Sequence, residues 1–222
     1  MQVIRPGFDI ERFRPLEGAR ESLRAMLQVD ADTPLVGIVG RYHEVKDYGN
    51  FTAAISRMKR EMPGCRYVMA GLDLDNGHRA LRDLLAQNGV GDAVHLLGPR
   101  DNLQTLLLGL DVFCLSSRSE GFPTVVGEAM ACGVPCVATD VGDTAMLVDN
   151  AGHIVPRENA KALGAGLTSV FALSKEERMN LGELARHRIQ SLFSIKSTWQ
   201  QYEQAYSSTL NGAWQCAESQ GS

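Results

Sequence analysis

The feature that most constrains this chain is a repeated alternation. Short, continuous apolar runs recur along it, each separated from the next by a longer stretch with helical periodicity. The runs lie at 35–39, 66–70, 93–97, 111–115, 135–138 and 152–155. Most lack the in–out pattern of a strand with one wet face, so both faces must be covered. The stretches between and after them predict helices at 47–62, 77–88, 102–110, 124–132, 143–149 and 159–173. The first carries Phe51, Ala54, Ile55 and Met58 on one face and stops at Pro63-Gly64. Strand and helix in turn predict an α/β fold: a doubly wound, mostly parallel sheet of about six strands with right-handed crossovers.

After 173 the pattern changes. No further strand is expected, and helices are predicted at 175–190 and 195–209. Trp199, Tyr202 and Tyr206 form a stripe on the last one. The plainest reading packs this stripe on the body of the domain. Residues 1–17 read as a linker, 33–173 as the α/β core and 211–222 as a loose, disordered tail.

Composition then excludes several classes. With 22 basic and 26 acidic residues the formal charge is −4, so the chain lacks the basic field of a nucleic-acid binder. Hydrophobic residues at 44% and charged residues at 22% suit a soluble globular protein, not a disordered one. Of five cysteines, Cys65, Cys114, Cys132 and Cys136 sit in or beside apolar runs and read as buried free thiols in a reducing compartment. Cys132 and Cys136 have no second ligand pair, so a metal site is not expected. No run approaches the ~18–20 apolar residues of a spanning helix, and the start shows no signal-peptide pattern. A cytoplasmic location is expected.

In an open parallel sheet, ligands sit beyond the carboxyl ends of the strands. Two loops there stand out. After the first strand comes Gly40-Arg41-Tyr42-His43-Glu44-Val45-Lys46, which sets two cations beside a helix start. That combination makes a phosphate site, or else a solvated basic pair. Neither a G-x-G-x-x-G nor a Walker pattern is present. After the fourth strand comes Ser116-Ser117-Arg118-Ser119-Glu120-Gly121-Phe122-Pro123-Thr124. Gly121 permits close approach to a ligand, and Pro123 near the first helical turn leaves backbone N–H groups facing outward. Glu120 precedes that helix and Glu128 lies within it. A carboxylate is an acceptor-only group suited to paired sugar hydroxyls. Glu128, isolated in VVGEAMACGVP, reads either as such a ligand or as a solvent-side or ion-paired residue. His43 is a loop histidine and reads as a surface or binding residue.

These segments resemble a known family. Glu120-x₇-Glu128, set in SSRSEGFPTVVGEAMACGVPCVATDVGD, is similar to the E-x₇-E signature of the family 4 retaining glycosyltransferases with the two-domain GT-B fold. GRYHEVKDYGN resembles that family's G-R-x₄-K motif, VIRPGFDIERFRP its linker into the donor domain, and HLLGPRDNLQTLLLGLDVFCLSS the segment leading to E-x₇-E. The likeness covers residues 3–209 and departs at three points: Asp-Tyr-Gly rather than Gly after Lys46, Pro123 where Gly is common, and Met146 where Glu is frequent.

The resemblance implies the Rossmann-like, nucleotide-sugar-binding half of such an enzyme over 1–210, with an N-terminal acceptor half absent. It implies transfer from a UDP- or GDP-sugar, with retention, to a glycan or lipid-linked acceptor of polysaccharide or lipopolysaccharide type. The isolated half would be inactive, and the full enzyme would associate peripherally with membranes. Catalytic roles are implied for Arg41, Lys46 and Glu120. Donor-binding roles are implied for Gly40, Arg41, Lys46, Leu97, Gly98, Arg100, Glu120, Gly121, Phe122, Pro123, Thr124 and Glu128. Arg41 and Lys46 would bind the diphosphate, Glu120 the sugar hydroxyls and Glu128 the ribose. Leu97, Gly98 and Arg100 would border the base. No metal or other cofactor is expected. An interdomain face left uncovered would favour a weak homodimer through the Trp199–Tyr206 stripe. The other reading is a non-catalytic nucleotide-sugar-binding module acting with a partner chain.

Overall fold

The computed structural model describes residues 3–219. Its centre is one six-stranded sheet in which every neighbouring pair is parallel. The strands are β1 (Leu35–Val39), β2 (Arg66–Ala70), β3 (Val94–Leu96), β4 (Val112–Leu115), β5 (Cys136–Thr139) and β6 (Gly152–Val155). Each falls on an expected run, with ends shifted by one residue at most. Their order across the sheet is β3-β2-β1-β4-β5-β6.

The continuous apolar character of the runs has a direct structural cause. Successive strand residues point to opposite faces, and each face meets a helical layer. Val36, Ile38, Tyr67, Met69, Val112, Cys114 and Val137 enter one core cluster. Helices α2 (Tyr48–Glu61), α3 (Arg79–Gln87) and α7 (Ala160–Ala172) cover it with Phe51, Ile55, Leu81, Leu163 and Leu167. Leu35, Val68, Ala70, Phe113, Leu115, Cys136 and Ala138 enter the other cluster. Helices α1 (Ala19–Leu27), α4 (Leu103–Gly109), α5 (Thr124–Ala131), α6 (Thr144–Val148) and α8 (Lys175–Leu192) cover that one.

Helix α1 was not among the expected elements. Its signal is short: Leu23 and Leu27 are four apart and both buried, between a glycine and Gln28. Its role is clear from Arg24, which is buried and reaches across to Asp111 at the start of β4. The Arg24 guanidinium also donates to the carbonyls of Ala31, Thr33 and Gly109. The linker before α1 is anchored too. Phe8 exchanges backbone hydrogen bonds with the turn between α8 and α9 (Ile195–Ser219), at 2.7 Å to the Phe193 carbonyl and 3.0 Å from the Ile195 N–H. Its ring lies on Gly127 of α5, where a Cβ would come within 2.0 Å of Phe8 Cζ. Close packing is therefore what that mid-helix glycine provides.

Helix α9 continues to Ser219, past Leu210, where a loose tail was expected; residues 220–222 of that tail lie outside the described residues. Extending an established helix needs no new nucleus, and Gln and Ala are good helix formers. The aromatic stripe does not pack on the domain: Trp199 is 65% exposed, Tyr202 43% and Tyr206 67%. The four cysteines expected in the core are buried free thiols. Burial pushes Cys65 and Cys132 up to about 12, which keeps them protonated and unreactive. No helix among the described residues is long and apolar enough to cross a membrane.

Candidate functional site: a crevice between two loops

The chain runs from β1 outward to β3, then returns to the other side of β1 for β4. The strand order therefore reverses between β1 and β4, the place where an open parallel sheet binds ligands beyond the carboxyl ends of its strands. The loops leaving β1 and β4 are the two singled out above.

Three contacts lock the loops together. Ser116 Oγ donates to the Lys46 carbonyl at 2.7 Å. The Arg118 N–H donates to the Val45 carbonyl at 2.8 Å. The Arg118 guanidinium pairs with Asp47 at 2.9 Å and lies 3.6 Å from Glu44 and 3.5 Å from Glu158. Asp47 is buried, has φ of 49°, and caps α2 through Asn50 N–H. That backbone conformation is left-handed. It explains why a glycine suits the position and why aspartate, which tolerates this region, can replace it. Asp47 turns the replacement into a second function by holding Arg118.

With the loops fixed, Lys46 and Glu120 meet. Nζ lies 2.7 Å from Oε1, and Ser117 Oγ donates to the same oxygen at 2.6 Å. The lysine stem runs over Gly40, whose added Cβ would be 3.3 Å from Lys46 Cε. Arg41 is exposed and makes no ion pair among the described residues. His43 is exposed and caps the short 3₁₀ turn Glu44–Lys46 through Val45 N–H.

On the other side of the crevice, Pro123 is the N-cap of α5 rather than its first residue, with no side-chain cap. Thr124 begins the helix and is exposed. Free N–H groups at such a start carry partial positive charge. The Gly121 carbonyl is held by Asp143 N–H at 2.9 Å. Phe122 turns toward the linker, its ring 5.7 Å from Phe8 and 6.5 Å from Phe193, so it serves packing with at least one face.

Leu97 follows β3 and donates its N–H to the Met69 carbonyl of β2 at 2.9 Å. Gly98 accepts from Gly71 N–H at 2.8 Å. Gly71, with φ of 141°, is so close to β1 that a Cβ would stand 2.0 Å from the Gly40 carbonyl. Only glycine fits there. Arg100 is exposed and makes no hydrogen bond or ion pair through its side chain among the described residues. Sequence reasoning missed Asp47, Ser117, Arg118 and Gly71 as organisers of the site. For Gly71 a signal existed, a glycine directly after a buried strand. Asp47 and Arg118 are partners 71 residues apart, and Ser117 reaches Glu120 within its own loop, three residues on.

Glu128 is half-buried, and its carboxylate makes no hydrogen bond or ion pair among the described residues. Burial raises its pKa above the ordinary carboxylate value, and the charge of Arg12 opposes this. A carboxyl whose pKa is higher in the folded state lowers stability as pH rises from the ordinary value through the raised one, and the deficit persists above it. Glu128→Gln is therefore expected to raise the melting temperature at neutral pH, and to lose this advantage below about pH 4. Melting curves across pH 4 to 8 check this; a variant that melts lower at pH 7 overturns it.

The family model for glycosyl transferases group 1 matches residues 19–188. The chain belongs to this family. A D-inositol 3-phosphate glycosyltransferase of Saccharomonospora viridis is 34% identical over 209 residues, spanning 89% of this chain and 48% of that protein. The chain thus spans about half the length of the curated relatives it matches. Sucrose-phosphate synthase from Thermosynechococcus elongatus superimposes with a TM-score of 0.81 at 27% identity, over 95% of this chain and 53% of that one. Anabaena HepE, solved in complex with UDP-glucose, gives 0.82 at 23% identity, over 93% and 57%. The Rossmann-like half of a GT-B glycosyltransferase is the fold these likenesses share. The described residues contain no group of three or more His, Cys, Asp or Glu placed to hold a metal ion.

Proposed function

We propose that this group 1 glycosyltransferase chain is the donor-binding half of a retaining enzyme. It takes a UDP- or GDP-sugar and passes the sugar to a glycan or lipid-linked acceptor. The observation that carries the reading is the meeting of Lys46 and Glu120, from two loops, at the point where the strand order reverses. A cation and a hydroxyl acceptor side by side match the junction of a diphosphate and a sugar.

In this reading Arg41, Lys46 and the start of α5 at Thr124 bind the diphosphate. They stabilise the charge that gathers on it as the sugar departs, and no metal ion is required for that. Gly40, Gly121 and Pro123 let the backbone approach. Glu120 accepts from sugar hydroxyls and Glu128 from the ribose. Leu97, Gly98 and Arg100 border the base. Support comes from the family assignment and from the HepE neighbour, whose structure contains UDP-glucose. The exposed Trp199–Tyr202–Tyr206 stripe suits a weak homodimer, which sedimentation at high concentration would show as a concentration-dependent mass.

Calorimetric titration with UDP, GDP, UDP-glucose, UDP-N-acetylglucosamine and GDP-mannose, with and without EDTA, tests the reading. Selective binding of one nucleotide family, unchanged by EDTA, is the expected result. No binding to any of them overturns it. The alternative, a non-catalytic module acting with a partner chain, shares the binding. It differs in showing no sugar transfer when the half of the relatives that this chain does not span is supplied.

A further inference from the structure

Lys46 and Glu120 face two different parts of one ligand in the reading above, yet here they bond to each other. The pair is no loose surface contact, since the side chains are 23% and 14% exposed. The backbones on both sides are pinned by Ser116, Arg118 and Asp47. What stays free to move is the four-carbon stem of Lys46, a flexible chain ending in a rotatable ammonium. Glu120 Oε1 keeps a second donor, Ser117 Oγ, whether or not Lys46 is present.

We propose that the Lys46–Glu120 pair is a latch that discriminates an intact nucleotide sugar from a sugar-free nucleoside diphosphate. The proposal rests on the donor-binding reading. A nucleotide sugar opens the latch at both ends. Its diphosphate draws Lys46 away, and its sugar hydroxyls replace the ammonium at Glu120. A nucleoside diphosphate without the sugar also claims Lys46 but offers nothing to Glu120. It leaves a half-buried carboxylate with the Ser117 hydrogen bond alone, close to phosphate charge of the same sign. The latch therefore weakens binding of the nucleotide product relative to the donor and favours its departure after transfer. No covalent step is involved.

Glu120→Gln keeps the shape and removes the charge. Isothermal titration of the wild type and of this variant with UDP, GDP, UDP-glucose and GDP-mannose separates the possibilities. The nucleoside diphosphate that the wild type binds is expected to bind Glu120→Gln about tenfold tighter, equivalent to about 1.4 kcal/mol. The matching nucleotide sugar is expected to gain nothing or to bind more weakly, so the preference for the donor falls at least as far. Glu120→Ala provides the same comparison with a smaller side chain, and melting curves verify that each variant is folded. A folded variant that binds the nucleoside diphosphate no tighter than the wild type overturns the latch while leaving the donor-binding reading intact. A wild type that binds none of the four ligands removes the reading, and the latch with it.

Discussion

Asp111→Ala is expected to destabilise the chain by about 3–5 kcal/mol, the range found when one partner of a buried ion pair is removed. Asp111 accepts from Arg24 at 2.9 Å and from the Leu35 N–H at 2.9 Å, and it also pairs with Arg20. Arg24 is only 3% exposed. Burial pulls the pKa of its guanidinium down, and Asp111 opposes that pull. With Asp111 gone, the guanidinium keeps the carbonyls of Ala31, Thr33 and Gly109 but has no full counter-charge from the β4 side. For a chain of this length each kcal/mol shifts the melting temperature by about 2–4 °C, so the loss is on the order of 10 °C. Arg24→Met in the same chain is expected to restore much of it, because the unpaired charge leaves together with its partner. Thermal melting of the two single variants and the double variant checks this. A drop below about 1 kcal/mol for Asp111→Ala refutes the account.

Lys46→Ala is expected to weaken nucleoside-diphosphate binding by about 1–3 kcal/mol, roughly 5- to 150-fold, as when a charged hydrogen-bond partner is removed. Arg41→Ala is expected to act in the same direction. The two should respond differently to salt. Lys46 is partly buried and its contribution is weakly screened, whereas Arg41 is exposed and its contribution should fade as ionic strength rises. Titrations at low and high salt measure both. Unchanged affinity in both variants rules out a phosphate site in the β1 loop.

Much of the candidate site could be read from local sequence because its charged residues are dense in two short loops. Glu120, Glu128, Arg41 and Lys46 stand out as charges beside strand ends and helix starts. What could not be read is how these residues are held. Lys46 and Glu120 are 74 residues apart, and Arg118 and Asp47 are 71 apart. No periodicity links such pairs. Nor could local sequence show that the Phe122 ring packs against Phe8 of the linker and Phe193 at the end of α8.

The sequence by itself determined the six strands, the helices between them and the need to cover both faces of the sheet. Those properties follow from apolar periodicity, which each segment carries within its own few residues. Helix α1 escaped because its apolar signal is only two turns long and its purpose lies in Arg24, whose acid is 87 residues away. The tertiary structure alone decided the strand order, hence the place where the order reverses, and with it which two loops share a crevice. It also decided that the Trp199–Tyr206 stripe stays exposed, since a helix face is buried only where another element comes to meet it. Local pattern states which surfaces need a partner. Chain topology chooses the partner, because that choice depends on contacts between residues far apart in sequence.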